Sequence, residues 1–568
     1  NEIKNRLIYE MYPNEADKRR DLHQPGGMIA STLYLNPAGS DDANSFRNKK
    51  IWFSPSRGMV NQLYQLPCLK YMVGNKDIPN IELSEEERRT LPTQIEEIMS
   101  ITYNQLCDYY LGEQNIQSLV FTVPNTFTPL HIANIRKVLI QQVPTLIEEY
   151  LEFISESDAV LCLYLSNRDR ILPQNMRQRT SEHILVYDMG AGTLDLTYAE
   201  CRYENNNHNV SNVVIKGRMG INKAGNYIDY LLGEIIVDLL VNTYQIDKDS
   251  PKIIALNGIL TTSPTDGIDY GQRRMFKDYL CNKVKTILNE DDNTPLPKLD
   301  DIAGYQIGYH TYDELAKITI GEIKEHKLFK DYIRSCTIEV MQDFARLYGS
   351  NTTGVGPRLR LDYIFLSGRT ISINAIRDSL MKITREIGFN DLNRRIEIIR
   401  NDNGQDNIGN KLAVAEGALN YVKLNRFTSN FNINKKNVYG NYGILVDGVN
   451  TEWMRLIDHR TVSDEDNRLV RDIQVNCHNI GKIILCHTYK DNPTQDIKDN
   501  NYDSTTILHS YTVPIGITQQ INLMNIRLEI DENSNISYFI GPNQIPLQPH
   551  DDYGNLSLRK SLWPVVYR

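Results

Sequence analysis

The sequence predicts an α/β chain over residues 1–425, a short linker at 426–436 and an all-β module over 437–568. Three observations lead there. The apolar run Ile184-Leu185-Val186-Tyr187 ends in Asp188, reverses through Gly190, Ala191 and Gly192, and restarts as a strand over 193–198. Around that hairpin, strand-like and helix-like stretches alternate, which is the signature of α/β layering. Beyond Asn437 helical periodicity fades, and short alternating runs recur at 443–446, 471–475, 482–487, 521–530 and 536–540.

At 568 residues the chain is too long for one core, so about two to four domains are expected. Its 41% hydrophobic and 23% charged content is that of an ordinary soluble protein, and a net charge of −9 argues against a general nucleic-acid binder. No apolar run approaches the length of a membrane span, and no signal peptide opens the chain. The first residue is Asn1 rather than Met, so the protein is expected to continue upstream. The eight cysteines are scattered without a CxxC, as expected of reduced thiols in the cytoplasm. The pairs Cys477-His478 and Cys486-His487 alternate faces on a strand, so neither pair is expected to converge on a metal ion.

In chain order, 28–35 and 50–53 read as short strands. The segment 65–73, QLPCLKYMV, is apolar apart from Lys70, a residue that snorkels at a surface unless its context says otherwise. Residues 92–112 carry Ile95, Ile98, Met99, Tyr103 and Leu106 at helical spacing, with Gly112 as the stop. A strand at 118–124 ends in Val123-Pro124, and a helix bent at Pro144 is expected over 130–154, running into Glu156. Residues 226–243 carry a long apolar stripe, with Gly225 just before it, either a helix N-terminus facing phosphate or a plain turn glycine. A strand at 361–367 passes through Gly368 into a helix from Asn374, and 413–422 is a small-residue helix suited to close packing.

The hairpin carries the candidate chemistry. Residues as small as Gly190, Ala191 and Gly192 leave backbone N–H groups uncovered and let a large anion approach. Asp188 and Asp195 flank that turn and suit the hard cation that accompanies phosphate, Mg²⁺, held through its water shell. For this stretch alone an ordinary hairpin with two solvated aspartates also remains open. Neither a GxxxxGK[ST] loop nor a dinucleotide fingerprint fits the pattern.

Taken in order, the motifs resemble the nucleotide-binding domain of the DnaK-type seventy-kilodalton heat-shock chaperones, within the actin-like ATPase superfamily. The similarity covers roughly residues 25–425. LPCLKYMVG resembles the segment with the family's catalytic lysine, at Lys70. QIEEIMSITYNQLCDYYLG and SLVFTVPNTF resemble the family's YLG helix and TVPxxF strand, which makes Pro124 the interdomain switch proline. Glu156 falls where the family has its catalytic glutamate. DMGAGTLD resembles DLGGGTFD, so Asp188, Gly190, Ala191, Gly192, Thr193 and Asp195 take its Mg²⁺- and phosphate-facing places. AGNYID resembles GGEDFD and brings in Gly225 and Asp229; IFLSGRTISINAI resembles the adenosine segment and brings in Gly368; AVAEGALNYV resembles the closing helix.

The resemblance implies a two-lobed, duplicated ribonuclease-H-like fold that binds ATP or ADP with Mg²⁺ and hydrolyses the γ-phosphate. Lys70, Glu156, Asp188 and Asp195 are its expected catalytic set. There are departures. The family's first phosphate loop, a DxGTT-type hairpin, is expected upstream of Asn1. The family's adenine-bracketing arginines fall at Thr286 and Ser372, with Lys285 beside them kept as a nucleotide-binding residue. The second glycine of the adenosine turn is Arg369, which either stacks on the base in their place, the favoured reading, or obstructs it. TPLHI lacks the arginine of the family's interdomain relay, and the hydrophobic linker and helical lid have no counterpart. The β-module loosely resembles a substrate-binding sandwich, which implies protein or peptide clients, or an assembly partner.

The expected function is therefore a divergent chaperone-like ATPase whose nucleotide state controls binding by the β-module. The alternative is a nucleotide-sensing scaffold of little or no turnover. A sugar kinase or filament on the same fold accounts less well for TVPxxF together with the β-rich tail. Size and divergence also resemble the large bacterial chaperone-like proteins described as virulence factors.

Overall fold

A strand apolar on both faces must be covered on both faces, and the Ile184–Tyr187 run is built that way. In the computed structural model, which describes residues 33–35, 51–52, 64–66 and, with interruptions, 119–547, this run lies in the middle of a five-stranded sheet. Lys70 and the helix expected at 92–112 lie outside the described residues.

In chain order, β1 (Leu33–Leu35), β2 (Ile51–Trp52) and β3 (Tyr64–Leu66) form a small antiparallel sheet with β1 central. β4 (Leu119–Val123) leads into α1 (Pro129–Gln142), and β5 (Leu151–Ser155) pairs with β4 in parallel before α2 (Glu156–Ile171). The single bent helix expected over 130–154 is thus corrected: Leu151–Ser155 is a strand, and Glu156 opens a helix rather than closing one. LEFIS finds a partner in β4, a non-local pairing that helical spacing could not reveal.

β6 (Ser181–Met189), β7 (Leu194–Tyr203) and β8 (Val210–Ile221) form an antiparallel meander. α3 (Gly225–Asp238) follows, matching the apolar stripe, and then α4 (Pro251–Leu260), α5 (Ile320–Glu325), α6 (Lys327–Arg334) and α7 (Val340–Tyr348). β9 (Ser350–Thr352), β10 (Gly356–Arg360) and the later β12 (Gly388–Phe389) make a three-stranded sheet. Between them, β11 (Tyr363–Ser367) leads to α8 (Asn374–Ile387). β13 (Glu397–Arg400) precedes the long α9 (Ile408–Phe427). The central sheet has the order β13-β11-β6-β7-β8, with β11 parallel to β6 and β13 parallel to β11.

Alternation along β6 divides the core. Leu185, Tyr187 and Met189 join the cluster under α3, α4 and α6 to α8, while Ile184 and Val186 face α2 and α9. On that second side Gly417 of α9 crosses α2 so closely that a Cβ would lie 1.9 Å from the Ala159 carbonyl oxygen. The close packing expected of the small-residue helix is therefore seen, although α9 begins at Ile408 rather than Ala413.

The C-terminal strands form two antiparallel sheets. β14 (Asn441–Gly448), β15 (Glu452–Asp458), β17 (Ile480–Thr488) and β18 (Thr505–Thr512) make one; β16 (Leu469–Asn476), β19 (Leu523–Ile530), β20 (Ile536–Ile540) and β21 (Asn543–Ile545) make the other. Their inner faces share one core, in which Ile444, Ile483 and Leu485 meet Ile526, Leu528 and Tyr538. This sandwich packs on the α/β part. Asn222 N–H donates to the Asp503 carbonyl at 2.9 Å, Lys223 pairs with the Asp503 carboxylate at 3.4 Å, and Gly440 N–H donates to the Tyr348 hydroxyl at 3.0 Å. Among the described residues, no helix is long and apolar enough to cross a membrane.

Two buried histidines lie at this boundary. His131 Nδ1 accepts from Thr128 N–H at 3.0 Å, and His487 Nε2 lies 2.9 Å from the Tyr439 carbonyl between Tyr442 and Tyr489. Burial pushes His131 down to about 3 and His487 down to about 4. Both are neutral in the fold, so stability is complete above the ordinary histidine value and is lost as pH falls from about 6.5 toward 4. The loss is on the order of 3 kcal/mol per histidine once both states are charged. Thermal unfolding of the full chain between pH 7 and pH 4.5 should show this, and a His487→Gln chain should show a shallower dependence; identical slopes would sink the assignment.

Candidate functional site

The turn between β6 and β7 is closed by Gly190 N–H donating to the Thr193 carbonyl at 3.0 Å. A four-residue reversal sets the register, so Met189 pairs with Leu194 and Asp188 stands directly opposite Asp195. By alternation both carboxylates are on the α2 side of the sheet. Like charges directly opposed on a sheet are destabilising, so this arrangement disfavours ionisation of both carboxyls at once.

Asp195 accepts two hydrogen bonds at 2.6 Å: from Thr193 Oγ1 and from the backbone N–H of Asn125, the residue after Pro124. Pro124 itself is buried, and its carbonyl accepts from Phe127 N–H at 3.0 Å, closing the turn that presents Asn125. Asn125 is a hub. Its side chain donates to Ser157 Oγ, the Leu196 carbonyl and the Met219 carbonyl. The loop lies so close to β8 that a Cβ at Gly220 would come within 2.7 Å of Thr126 N.

Glu156 adds a third carboxylate. It is the first residue of α2, and its charge, after burial, is the next cause that raises the pKa of both aspartates. Asp188 is pushed up to about 7, chiefly by burial; Asp195 is driven well above the carboxylate range by burial and then Glu156, with the two hydrogen bonds opposing. Ser367 at the end of β11 faces Asp188 across the parallel ladder. Among the described residues, no His, Cys, Asp or Glu cluster is placed to coordinate one ion directly.

The turn itself is open. A Cβ at Gly192 would meet nothing within 4 Å, and one at Gly190 only the Thr193 carbonyl at 3.7 Å. Among the described residues none accepts from the N–H groups of Ala191, Gly192 or Thr193. The carbonyls of the same turn are engaged: Gly190 accepts from Gly225 N–H at 3.2 Å and Thr370 Oγ1 at 2.8 Å, and Ala191 accepts from Asn226 N–H at 2.6 Å. The first N–H groups of α3 therefore hold the hairpin in place. A Cβ on Gly225 would lie 2.5 Å from Thr370 Oγ1, so glycine is needed there for close approach.

Lys285 reaches the same corner. Its ammonium donates to the Gly225 carbonyl at 2.9 Å and to buried Asp229 at 2.7 Å, and the Cys281 thiol donates to the other Asp229 oxygen. Gly368 has φ of +84°, and a Cβ there would lie 2.1 Å from the Met189 carbonyl oxygen, so the turn after β11 sits directly on the end of β6. Arg369 follows, exposed. Thr286 bonds back to its own helix through the Lys283 carbonyl at 2.8 Å, while Asn289 bridges to the Ser372 carbonyl and the Asn374 N–H.

The structure thus brings Glu156, Asp188 and Asp195 together beside an open turn, and places Gly190, Ala191, Gly192, Thr193, Gly225, Lys285, Gly368 and Arg369 around that turn. Lys70 lies outside the described residues. Sequence reasoning missed Asn125, Ser367, Thr370 and Asn289; only Asn125 carried a signal, as the polar residue after the proline of TVPNTF. In comparisons with known proteins, no family model matches this chain, and no curated protein matches it.

Proposed function

We propose that this chain is a divergent, chaperone-like ATPase of the actin-like superfamily, binding Mg-ATP in a cleft lined by the β6–β7 turn. Its nucleotide state would be coupled to what the C-terminal β-rich part binds, a protein or peptide. The observation that carries this reading is the opposed Asp188–Asp195 pair facing Glu156 beside a turn three of whose N–H groups have no acceptor among the described residues. The sheet order supports it: three antiparallel strands followed by two parallel strands on the far side of the first is a ribonuclease-H-like order. The parallel β4–β5 pair with α2 fits a part of a second such half.

Two buried aspartates crowded by a third carboxylate suit a hard cation held through its water shell. Asp188 and Asp195 are the residues that would hold Mg²⁺, which supplies the charge offset for a triphosphate. The N–H groups of Ala191, Gly192 and Thr193, without an acceptor among the described residues, suit phosphate oxygens. Lys70, from the resemblance, would orient the attacking water, and Glu156 would support its placement. A second reading, a nucleotide-sensing scaffold of little turnover, is favoured by the direct hydrogen bond and ion pair that tie the sandwich to Asn222 and Lys223, just past β8.

Phosphate release and calorimetric titration with Mg-ATP test both. The ATPase reading expects turnover that falls to background in Lys70→Ala and Glu156→Ala, with nucleotide still bound. Tight binding without turnover above the Lys70→Ala level supports the scaffold; no binding at all removes both.

A further inference from the structure

A single residue joins the acidic pair to the C-terminal sandwich. Tyr489, just past β17, is buried and sends its hydroxyl into the α/β part, where it donates to the Asn125 carbonyl at 2.7 Å. Asn125 N–H in turn donates to Asp195 Oδ1 at 2.6 Å. The two bonds hold both backbone polar groups of one buried residue, one from each side.

We infer that Tyr489 is a positioning residue for the acidic site: by fixing the Asn125 carbonyl it aims the Asn125 N–H at Asp195, so that the seating of the sandwich and the occupancy of the site are linked. The inference rests on the nucleotide-binding reading for its ligand but on geometry alone for the wiring. With the side chain of Asn125 tied to Ser157, Leu196 and Met219, the residue moves as a unit or not at all. Loss of the Tyr489 bond leaves a buried carbonyl without its partner, and the turn must shift to reach another. Any such shift moves the N–H that supports Asp195. By linkage, a ligand that tightens the site tightens the seating of β17 by the same factor.

Tyr489→Phe removes only the hydroxyl and keeps the ring in its place among the aromatic side chains. Tyr538→Phe is the control, since Tyr538 is buried on the far sheet with its hydroxyl unpartnered among the described residues. In the full chain titrated with Mg-ATP, Tyr489→Phe should weaken binding about three- to tenfold, the usual worth of one buried hydrogen bond. Tyr538→Phe should leave it unchanged. Amide exchange over residues 484–489 should slow on Mg-ATP addition in the parent chain and in Tyr538→Phe, and not in Tyr489→Phe. Unchanged affinity and an unchanged exchange response in Tyr489→Phe would overturn the inference.

If the parent chain binds no Mg-ATP, the functional reading fails but the wiring is still decided. Unfolding constants for Tyr489→Phe, Asp195→Ala and the double variant should then depart from simple multiplication by about threefold or more. Multiplicative effects would overturn the wiring as well.

Discussion

A Gly417→Ala chain is expected to lose about 3 kcal/mol or more of stability, the upper end of overpacking costs. The reason is the identity of the atom in the way. The added methyl would lie 1.9 Å from the carbonyl oxygen of Ala159 and 2.3 Å from its carbonyl carbon, both backbone atoms of a helix. A flexible side chain could swing aside, but here α2 or α9 must move as a body. α2 also starts at Glu156 and carries Ser157 and Asp158, which bond to Asn125 and Arg218. Displacing it therefore disturbs the support of the acidic pair. Chemical denaturation of the full chain checks the cost. No loss, or the gain of about 0.5–1 kcal/mol that helix propensity alone gives when alanine replaces glycine, would mean that the helices are not in this contact.

What the sequence made legible follows from how local the governing interactions are. The β6 run, the α3 stripe and the alternating tail strands each bury their own period-two or period-3.6 face, so composition along the chain suffices to read them. That Asp188 and Asp195 flank the turn was legible too, but not their direct opposition: a strand restarting at Thr193 would set Asp188 against Leu194, and the four-residue turn between Met189 and Leu194 shifts the pairing by one. Leu151–Ser155 failed because its strand character comes from pairing with β4, and its neighbours on either side are helical. The seating of the sandwich was invisible for a similar reason. Tyr489 and Asn125 are 364 residues apart, and neither residue type predicts the other. The pairing of the Lys285 ammonium with Asp229 was likewise out of reach, because that partner is brought near only by the folding of α3.

The acidic pair carries the largest functional prediction. Asp188→Asn and Asp195→Asn should each weaken Mg-ATP binding by about 100-fold or more, because a desolvated charge facing a cation is lost in each case. The same substitutions should stabilise the ligand-free chain by about 2 kcal/mol at pH 8, since each removes one of three crowded carboxylates. The sign follows from the direction of the shift. Asp188 has its pKa raised from 3.8 to about 7, so in the fold it holds a proton that the unfolded chain releases. Its cost to stability is absent below pH 4, grows as pH rises through that interval and is complete above pH 7. The gain from Asp188→Asn should grow over the same window and vanish at pH 4. A cation reverses the balance by favouring the ionised form, so Mg-ATP should bind more tightly as pH rises through 7 and release protons as it does. Denaturation at pH 5 and pH 8, with calorimetry in two buffers of different ionisation enthalpy, measures both halves. If the Asn variants destabilise the ligand-free chain equally at the two pH values and bind Mg-ATP as the parent does, the pair is structural, and Asp195 serves only as the acceptor that pins the Asn125 turn.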